Sequence, residues 1–253
     1  MTAQTYDRTD EPPLDAEAAR LGAAGRARRG ARRLYRDGAK RLLDLALVLV
    51  MAAPVLVLVA LLALLVSLDG SRPFYVQERV GRGGRVYRMW KMRSMVPDAE
   101  AALARHLAAD EAARLEWDHH QKLRDDPRVT PLGRLLRRTS LDELPQLWNV
   151  VRGDMSLVGP RPTVAFQVAA YDARQRGRLR ARPGLTGLAQ VRGRAGIPWS
   201  ERIEIDLEYV ARQSLRLDLA ILARTVVVVL RRRGTYKGPR GGFDLPLPGP
   251  DRH

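Results

Sequence analysis

Residues 45–68 read LALVLVMAAPVLVLVALLALLVSL, twenty-four consecutive positions without a charge and dominated by Leu, Val and Ala. A helix of that length extends about 36 Å, enough to cross a hydrocarbon layer of roughly 30 Å. The run begins too late, and lacks the small-residue cleavage site, to be a cleavable signal peptide. A buried helix of a soluble core is the alternative, disfavoured by so long and uniform a stretch.

Moving outward, residues 26–41 carry eight basic side chains and residues 69–93 carry seven. Positive charge on both flanks draws both ends of the run to the cytoplasmic face. Pro54 lies in its first half. A proline there removes a backbone donor and crowds the preceding turn, so a helix bent at Ala53-Pro54 would enter the membrane and return to the same face. A kinked spanning helix satisfies the same physics, because membrane helices tolerate proline. Both topologies stay open on these grounds.

Residues 1–33 hold almost no large apolar side chain and turn basic towards their end, which predicts a disordered tail. Residues 236–253, with Pro239, Pro246, Pro248 and Pro250, predict a second flexible tail. A membrane segment over 34–69 and one globular unit over 70–235 lie between them. In that unit, Phe74–Glu78 and Arg85–Lys91 flank Gly81, Gly83 and Gly84 and predict a β-hairpin. Asp98–Leu123 predicts one Ala/Leu-rich helix, Pro131–Arg138 a short basic one, and Ser200–Gln213 and Leu215–Arg233 two more. The fold class is α+β: a small cytosolic domain with a hairpin and several helices.

The whole chain has 44 Lys+Arg against 28 Asp+Glu, a formal charge of +16, and only four of the basic residues are lysine. This balance favours anionic partners, whether nucleic acid, lipid headgroups or phosphorylated substrates. No helix-turn-helix, zinc-finger or RNA-binding signature accompanies the charge, which sets nucleic acid aside. The absence of cysteine excludes disulfides, thiolate metal sites and a cysteine nucleophile.

The chemistry concentrates at Thr139-Ser140-Leu141-Asp142-Glu143-Leu144-Pro145-Gln146. Read alone, the pair Asp142-Glu143 is explained by a helix start: Ser140 caps it and Glu143 completes a capping box. The neighbourhood alters that balance. Arg134, Arg137 and Arg138 precede the acids, and Arg161 follows in Gly159-Pro160-Arg161-Pro162. Flanking prolines restrict Arg161 to few directions, and a fixed guanidinium fork suits phosphate oxygens. Lys91 and Arg93, in Trp90-Lys91-Met92-Arg93-Ser94-Met95, add two further cations.

These motifs, together with Lys40-Arg41-Leu42-Leu43-Asp44, Asp126-Pro127-Arg128-Val129-Thr130, Asn149-Val150, Gly153–Pro162, Arg182–Val191 and Gly193-Arg194, occur in order over some 190 residues. In this the chain resembles the bacterial sugar transferases, the monotopic polyprenyl-phosphate phosphoglycosyl transferases, in their short catalytic-core form. The resemblance implies transfer of a sugar 1-phosphate from a UDP-sugar to polyprenyl (undecaprenyl) phosphate, with release of UMP and with Mg²⁺. It implies a covalent phospho-sugar on Asp142, and a re-entrant helix broken at Pro54. Many members place Ser before that proline, where this chain has Ala53.

Within that frame Glu143 is the first candidate metal ligand and Asp142 a transient one. Arg137 and Arg161 are candidate phosphate ligands, with Lys91 and Arg93 behind them. The expected partners are the UDP-sugar, the polyprenyl phosphate, membrane lipids and, as an open option, further copies of the chain. The expected place is the bacterial inner membrane, with the catalytic unit facing the cytoplasm. Exopolysaccharide, capsule, O-antigen or glycoprotein assembly would follow. A silent membrane scaffold of a glycan-assembly complex is the rival reading, and the intact Asp142, Glu143, Lys91 and Arg161 weigh against it.

Overall fold

The computed structural model describes residues 34–120, 123, 125–193 and 198–230, so the tails expected over 1–33 and 236–253 lie outside the described residues. The apolar run forms α1, Lys40–Val66, entered through a π-helical turn at Tyr35–Ala39. A short 3₁₀ turn, Ser67–Asp69, and left-handed Gly70 end it. Among the described residues, Lys40–Asp69 is the helix long and apolar enough to cross a membrane.

The break expected at Pro54 is not there: α1 is helical on both sides of the proline and across it. Proline's fixed φ is compatible with the helix, and it deletes one donor while its neighbours keep theirs. The helix continues through Lys40–Val66, about 40 Å along its axis, and rests on the globular unit at both ends. At its start, buried Lys40 pairs with Asp218 at 2.5 Å, and Asp44 accepts from Ser156 Oγ at 2.7 Å and Leu157 N at 3.2 Å. Near its end, Leu62 and Val66 pack with Met92 and Leu136, and Arg93 Nη2 donates to the Val66 carbonyl at 2.7 Å. Between and around these contacts Leu49, Val50, Leu56, Val57, Leu61 and Leu64 face outward.

The expected hairpin is present. Strands β1 (Phe74–Val80) and β2 (Val86–Met92) pair antiparallel from Phe74↔Met92 to Val80↔Val86. Gly83 and Gly84 turn the chain at φ +70° and +83°, values that L side chains adopt only with strain. The helix expected over 98–123 is two, α2 (Ala99–Ala109) and α3 (Glu111–His120). Asp110 between them is extended, and its Oδ1 accepts from Ala113 N at 3.0 Å. A side chain that caps a new helix competes with continuing the old one, and here the cap prevails.

The basic helix is α4 (Pro131–Thr139), started by Thr130, whose Oγ1 accepts from Gly133 N at 2.9 Å. Next come α5 (Gln146–Arg152), β3 (Ser156–Val158), α6 (Ala165–Ala169), β4 (Gly184–Thr186), α7 (Leu188–Arg192), α8 (Trp199–Arg212) and α9 (Leu215–Leu230). Strands β3 and β4 pair in parallel. One core joins the hairpin, α5, β3, α7, α8 and α9 through Met89, Val150, Met155, Val158, Tyr209 and Ile221, with Val48 of α1 added to it. Fully buried Asn149 binds α5 to β2: its Oδ1 accepts from Trp90 N at 3.0 Å and its Nδ2 donates to Arg88 O at 2.7 Å.

The foot of α1 is the most polar part of the interior. Asp218, wholly buried on α9, accepts from Tyr35 Oη at 2.7 Å and Tyr209 Oη at 2.8 Å besides Lys40. Burial first, and then the Asp218 carboxylate beside each, pushes both tyrosine hydroxyls far above their ordinary range, so both remain donors.

Candidate active site

Leu141–Glu143 is a 3₁₀ turn wedged between α4 and α5. Ser140 does not cap a helix start, as the capping-box reading expects. It closes α4 in the left-handed conformation, φ 59° and ψ 20°, and its side chain makes no capping bond. It is the non-glycine residue with positive φ among the described residues, a conformation that carries strain of order 1–3 kcal/mol. The reversal at Ser140 turns Leu141 into the cluster formed by Leu62, Val66, Met92 and Leu136. The same turn leaves the next residue, Asp142, only 9% exposed. The acid pair therefore stands on a turn packed against the end of the apolar helix.

Asp142 enters no salt bridge among the described residues, while Glu143 Oε1 receives Lys91 Nζ at 3.2 Å. Burial raises the Asp142 pKa above the usual carboxylate range; Lys91 opposes this, Glu143 adds to it and Arg137 opposes it. A buried carboxylate outside an ion pair keeps most of its lone pairs available, in contrast to the committed Asp218.

Arg137 is directed to the site by its Nε, which donates to Ser94 Oγ at 2.8 Å. Desolvation lowers the Arg137 pKa, and the facing charges of Asp142 and Asp126 oppose the shift. A close approach makes this possible: a Cβ on Gly133 would stand 2.0 Å from the Ser94 carbonyl oxygen, so only glycine lets α4 lie against the exit of β2. Asp126 is itself taken by Arg128, at 2.8 and 2.7 Å.

Arg161 is held by its backbone, as its proline flanks predict. The Pro160 carbonyl accepts from Gly184 N at 2.8 Å and the Arg161 carbonyl from Arg178 Nη2 at 3.0 Å. Its exposed side chain bears on Arg79 and Arg202, whose pKa values fall through burial first and the Arg161 charge second. The structure gives Arg93 a different occupation. It donates to both Asp69 oxygens at 2.7 and 2.6 Å, to Arg72 O at 2.8 Å and to Val66 O, tying off the end of α1.

Arg79 is the residue that sequence reasoning missed. It is half-buried on β1, donates to Gln77 Oε1 at 2.5 Å, and has its Nε enclosed without a partner. Arg161 and Glu143 both act on its charge. The signal was available in the alternation of the hairpin: the pairs Tyr75↔Lys91, Gln77↔Met89 and Arg79↔Tyr87 put Arg79 on the face that carries Lys91. Lys91, Arg79, Arg137 and Arg161 thus accompany two carboxylates, an excess of positive charge suited to a diphosphate.

Among the described residues no group of three His, Asp or Glu stands together as a ready metal cage. Two adjacent carboxylates fit a hard cation that arrives with phosphate oxygens, since Mg²⁺ is commonly held by one or two carboxylates plus substrate.

A family model described as bacterial sugar transferase matches residues 35–232. The chain is 47% identical over 197 residues to a UDP-galactose-lipid carrier transferase of Erwinia amylovora, covering 78% of this chain and 41% of that one. It is 45% identical over 190 residues to an undecaprenyl-phosphate galactose phosphotransferase of Salmonella typhimurium, covering 75% and 39%. An exopolysaccharide production protein, ExoY, of Sinorhizobium fredii is 42% identical over 190 residues, covering 75% and 83%. The chain spans about two fifths of the length of the first two. With the match running from the foot of α1 past the end of α9, the chain belongs to the bacterial sugar transferase family.

Proposed function

We propose that this protein transfers a sugar 1-phosphate from a UDP-sugar to polyprenyl phosphate and releases UMP, with Asp142 as nucleophile. The observation that carries the reading is the placement of Asp142: a buried carboxylate outside any salt bridge among the described residues, on a turn packed against the apolar helix, with Lys91 and Arg137 acting on its charge. Names of the similar proteins, which specify lipid-carrier and undecaprenyl-phosphate transfer, support the substrate classes.

In the first step a carboxylate oxygen of Asp142 bonds to the sugar-bearing phosphorus, the bond to the bridging oxygen breaks, and UMP leaves with that oxygen. In the second, an oxygen of polyprenyl phosphate bonds to the same phosphorus and the Asp142 carboxylate departs, leaving a polyprenyl diphosphate sugar. Two anions must meet in each step, so the charge on phosphorus has to be neutralised. Lys91, Arg79, Arg137 and Arg161 do part of this. Glu143, with Asp142 beside it, would hold Mg²⁺, which when bound supplies further charge neutralisation at the diphosphate. Fixing one phosphorus site and exchanging donor for acceptor explains why a single nucleophile serves a soluble and a membrane-borne substrate.

The acceptor reaches the site from the membrane. Both ends of α1 rest on one globular unit, which supports a seat on one side of the bilayer and disfavours a span. Polar backbone at the ends then stays with protein and water while the outward leucines and valines enter lipid. The reading places the unit on the cytoplasmic face of the bacterial inner membrane, in keeping with arginine on both flanks. The test is UMP release from UDP-sugars by the full chain in detergent. Release should require polyprenyl phosphate for turnover and fall by at least about a thousandfold in Asp142→Asn, as expected when a covalent nucleophile is removed. An unchanged rate in that variant would remove Asp142 from the role.

A further inference from the structure

The backbone of Arg161 offers few handles by which to aim its side chain. Pro162 leaves the peptide after Arg161 without an N–H, so that peptide can be gripped only through its carbonyl. A following proline also keeps Arg161 extended, and the partner of the carbonyl fixes the tilt that remains. That partner is Arg178, in the 3₁₀ segment Gln175–Arg180, whose Nη2 donates to the Arg161 carbonyl at 3.0 Å. Arg178 is only 3% exposed. The same Nη2 pairs with Asp206 Oδ2 on α8, and Nη1 donates to Tyr171 Oη. Asp206 is wholly buried. Burial raises the Asp206 pKa; Arg178 opposes this first, and the backbone amide of Arg161 acts in the same direction. Both members of the buried pair thus bear on the Arg161 backbone.

An ion pair placed so deep is a poor means of stability. Both charges lose their hydration, and well-packed apolar side chains of similar volume often do as well or better. What the pair supplies is direction. A guanidinium fork holds several acceptors at fixed angles, which a single ammonium cannot do. Here the acceptors come from the Pro160–Pro162 segment, from α8 and from Tyr171 beyond α6, so the segment is referenced to the body of the unit. Its other ties are Gly184 N to the Pro160 carbonyl at 2.8 Å and Val80 N to the Thr163 carbonyl at 2.9 Å. They stand on either side of Arg161, whose own carbonyl is taken by Arg178.

We propose that Arg178, clamped by Asp206 and Tyr171, is a positioning residue that aims Arg161 at the diphosphate of the nucleotide donor. Enclosed as it is, Arg178 acts through the Arg161 backbone and not on the substrate. Small displacements of a fixed phosphate ligand are costly, because binding and transfer both depend on its direction. The proposal rests on the reading of Arg161 as a phosphate ligand and is independent of the nucleophile at Asp142.

The experiment is isothermal titration calorimetry of the purified full chain, in neutral detergent with Mg²⁺, using UDP, which carries the donor's nucleotide and diphosphate and does not turn over. Arg161→Ala should weaken Kd by about tenfold or more. Arg178→Lys, which keeps a charge opposite Asp206 but loses the fork, should weaken it by about fivefold to tenfold, the size of coupling between residues in contact. In the Arg161→Ala background the lysine should change Kd by less than about twofold, since no guanidinium is left to aim. Tyr171→Phe, which removes one acceptor of the fork and spares the buried pair, should follow the same pattern at about threefold. It carries the test if Arg178→Lys does not fold by circular dichroism. A purely structural role would instead weaken binding equally in both backgrounds. Equal effects in both, or wild-type affinity in Arg178→Lys and Tyr171→Phe, overturn the proposal. Wild-type affinity in Arg161→Ala also overturns it, and removes Arg161 from the phosphate. UDP binding involves no transfer, so this pattern found without UMP release would count against the transferase reading alone.

Discussion

Replacing Asp218 by alanine should loosen the apolar helix from the catalytic unit. Its carboxylate is wholly buried and receives Lys40 Nζ at 2.5 Å, Tyr35 Oη at 2.7 Å and Tyr209 Oη at 2.8 Å. Removing one member of a buried ion pair costs about 3–5 kcal/mol, because the other charge stays behind without its partner. Lys40 would keep only Asp44, at 3.9 Å, and two tyrosine hydroxyls would lose an acceptor. Each kcal/mol lowers the midpoint of a unit of this size by about 2–4 °C, so the expected fall in Tm is about 6–20 °C. Thermal unfolding of the full chain in neutral detergent, followed by tryptophan fluorescence, measures it. Adding Lys40→Met should recover part of the loss, since the stranded charge goes. A fall under about 2 °C, or a Lys40→Met effect that simply adds to the first, would refute the view that this buried network seats the helix.

Other outcomes follow from the site. Asp142 has a folded pKa raised chiefly by burial, so its favourable contribution is complete below the unfolded value, near about 3.9, and is lost as pH rises through the folded one. Asp142→Asn should therefore raise Tm at pH 7.5 while abolishing turnover, and the gain should shrink towards pH 4; a constant gain across that range contradicts it. The wild-type rate should fall on the acid side as the same carboxyl protonates, a limb read from the pH profile of UMP release. Gly133→Ala, whose Cβ would meet the Ser94 carbonyl at 2.0 Å, should displace Arg137 and reduce turnover by more than tenfold, even in protein that remains folded by circular dichroism.

The hairpin was legible because alternating side chains end at glycines that must turn. The Pro131–Arg138 helix was legible because proline and Thr130 mark its start. Strands β3 and β4 were not. Each has three residues, and their backbones meet through Gly159 and Gly184 rather than through any patterned face. The break at Asp110 and the left-handed Ser140 both depend on which local hydrogen bond prevails, a choice that residue type alone leaves open. Arg93 entered the reading with Lys91, as a second cation of the same motif and a second-tier phosphate candidate. Its guanidinium is in fact claimed by Asp69, twenty-four residues earlier, once α1 and the hairpin are packed. Arg79 escaped notice for the converse reason: nothing near it in sequence marks it, and only the register of the hairpin brings it to the Lys91 face. The acid pair itself was found by its company of arginines, and the structure supplies the burial and the turn that distinguish Asp142 from Glu143.

That distinction is what a single measurement can test most directly. The purified full chain is incubated with UDP-sugar and Mg²⁺ in the absence of polyprenyl phosphate, and its intact mass and peptide masses are determined. The account predicts one added sugar phosphate, confined to the peptide that contains Asp142, accompanied by equimolar UMP and discharged when polyprenyl phosphate is supplied. An adduct that forms equally in Asp142→Asn, or turnover with acceptor in a protein that never carries one, would contradict it.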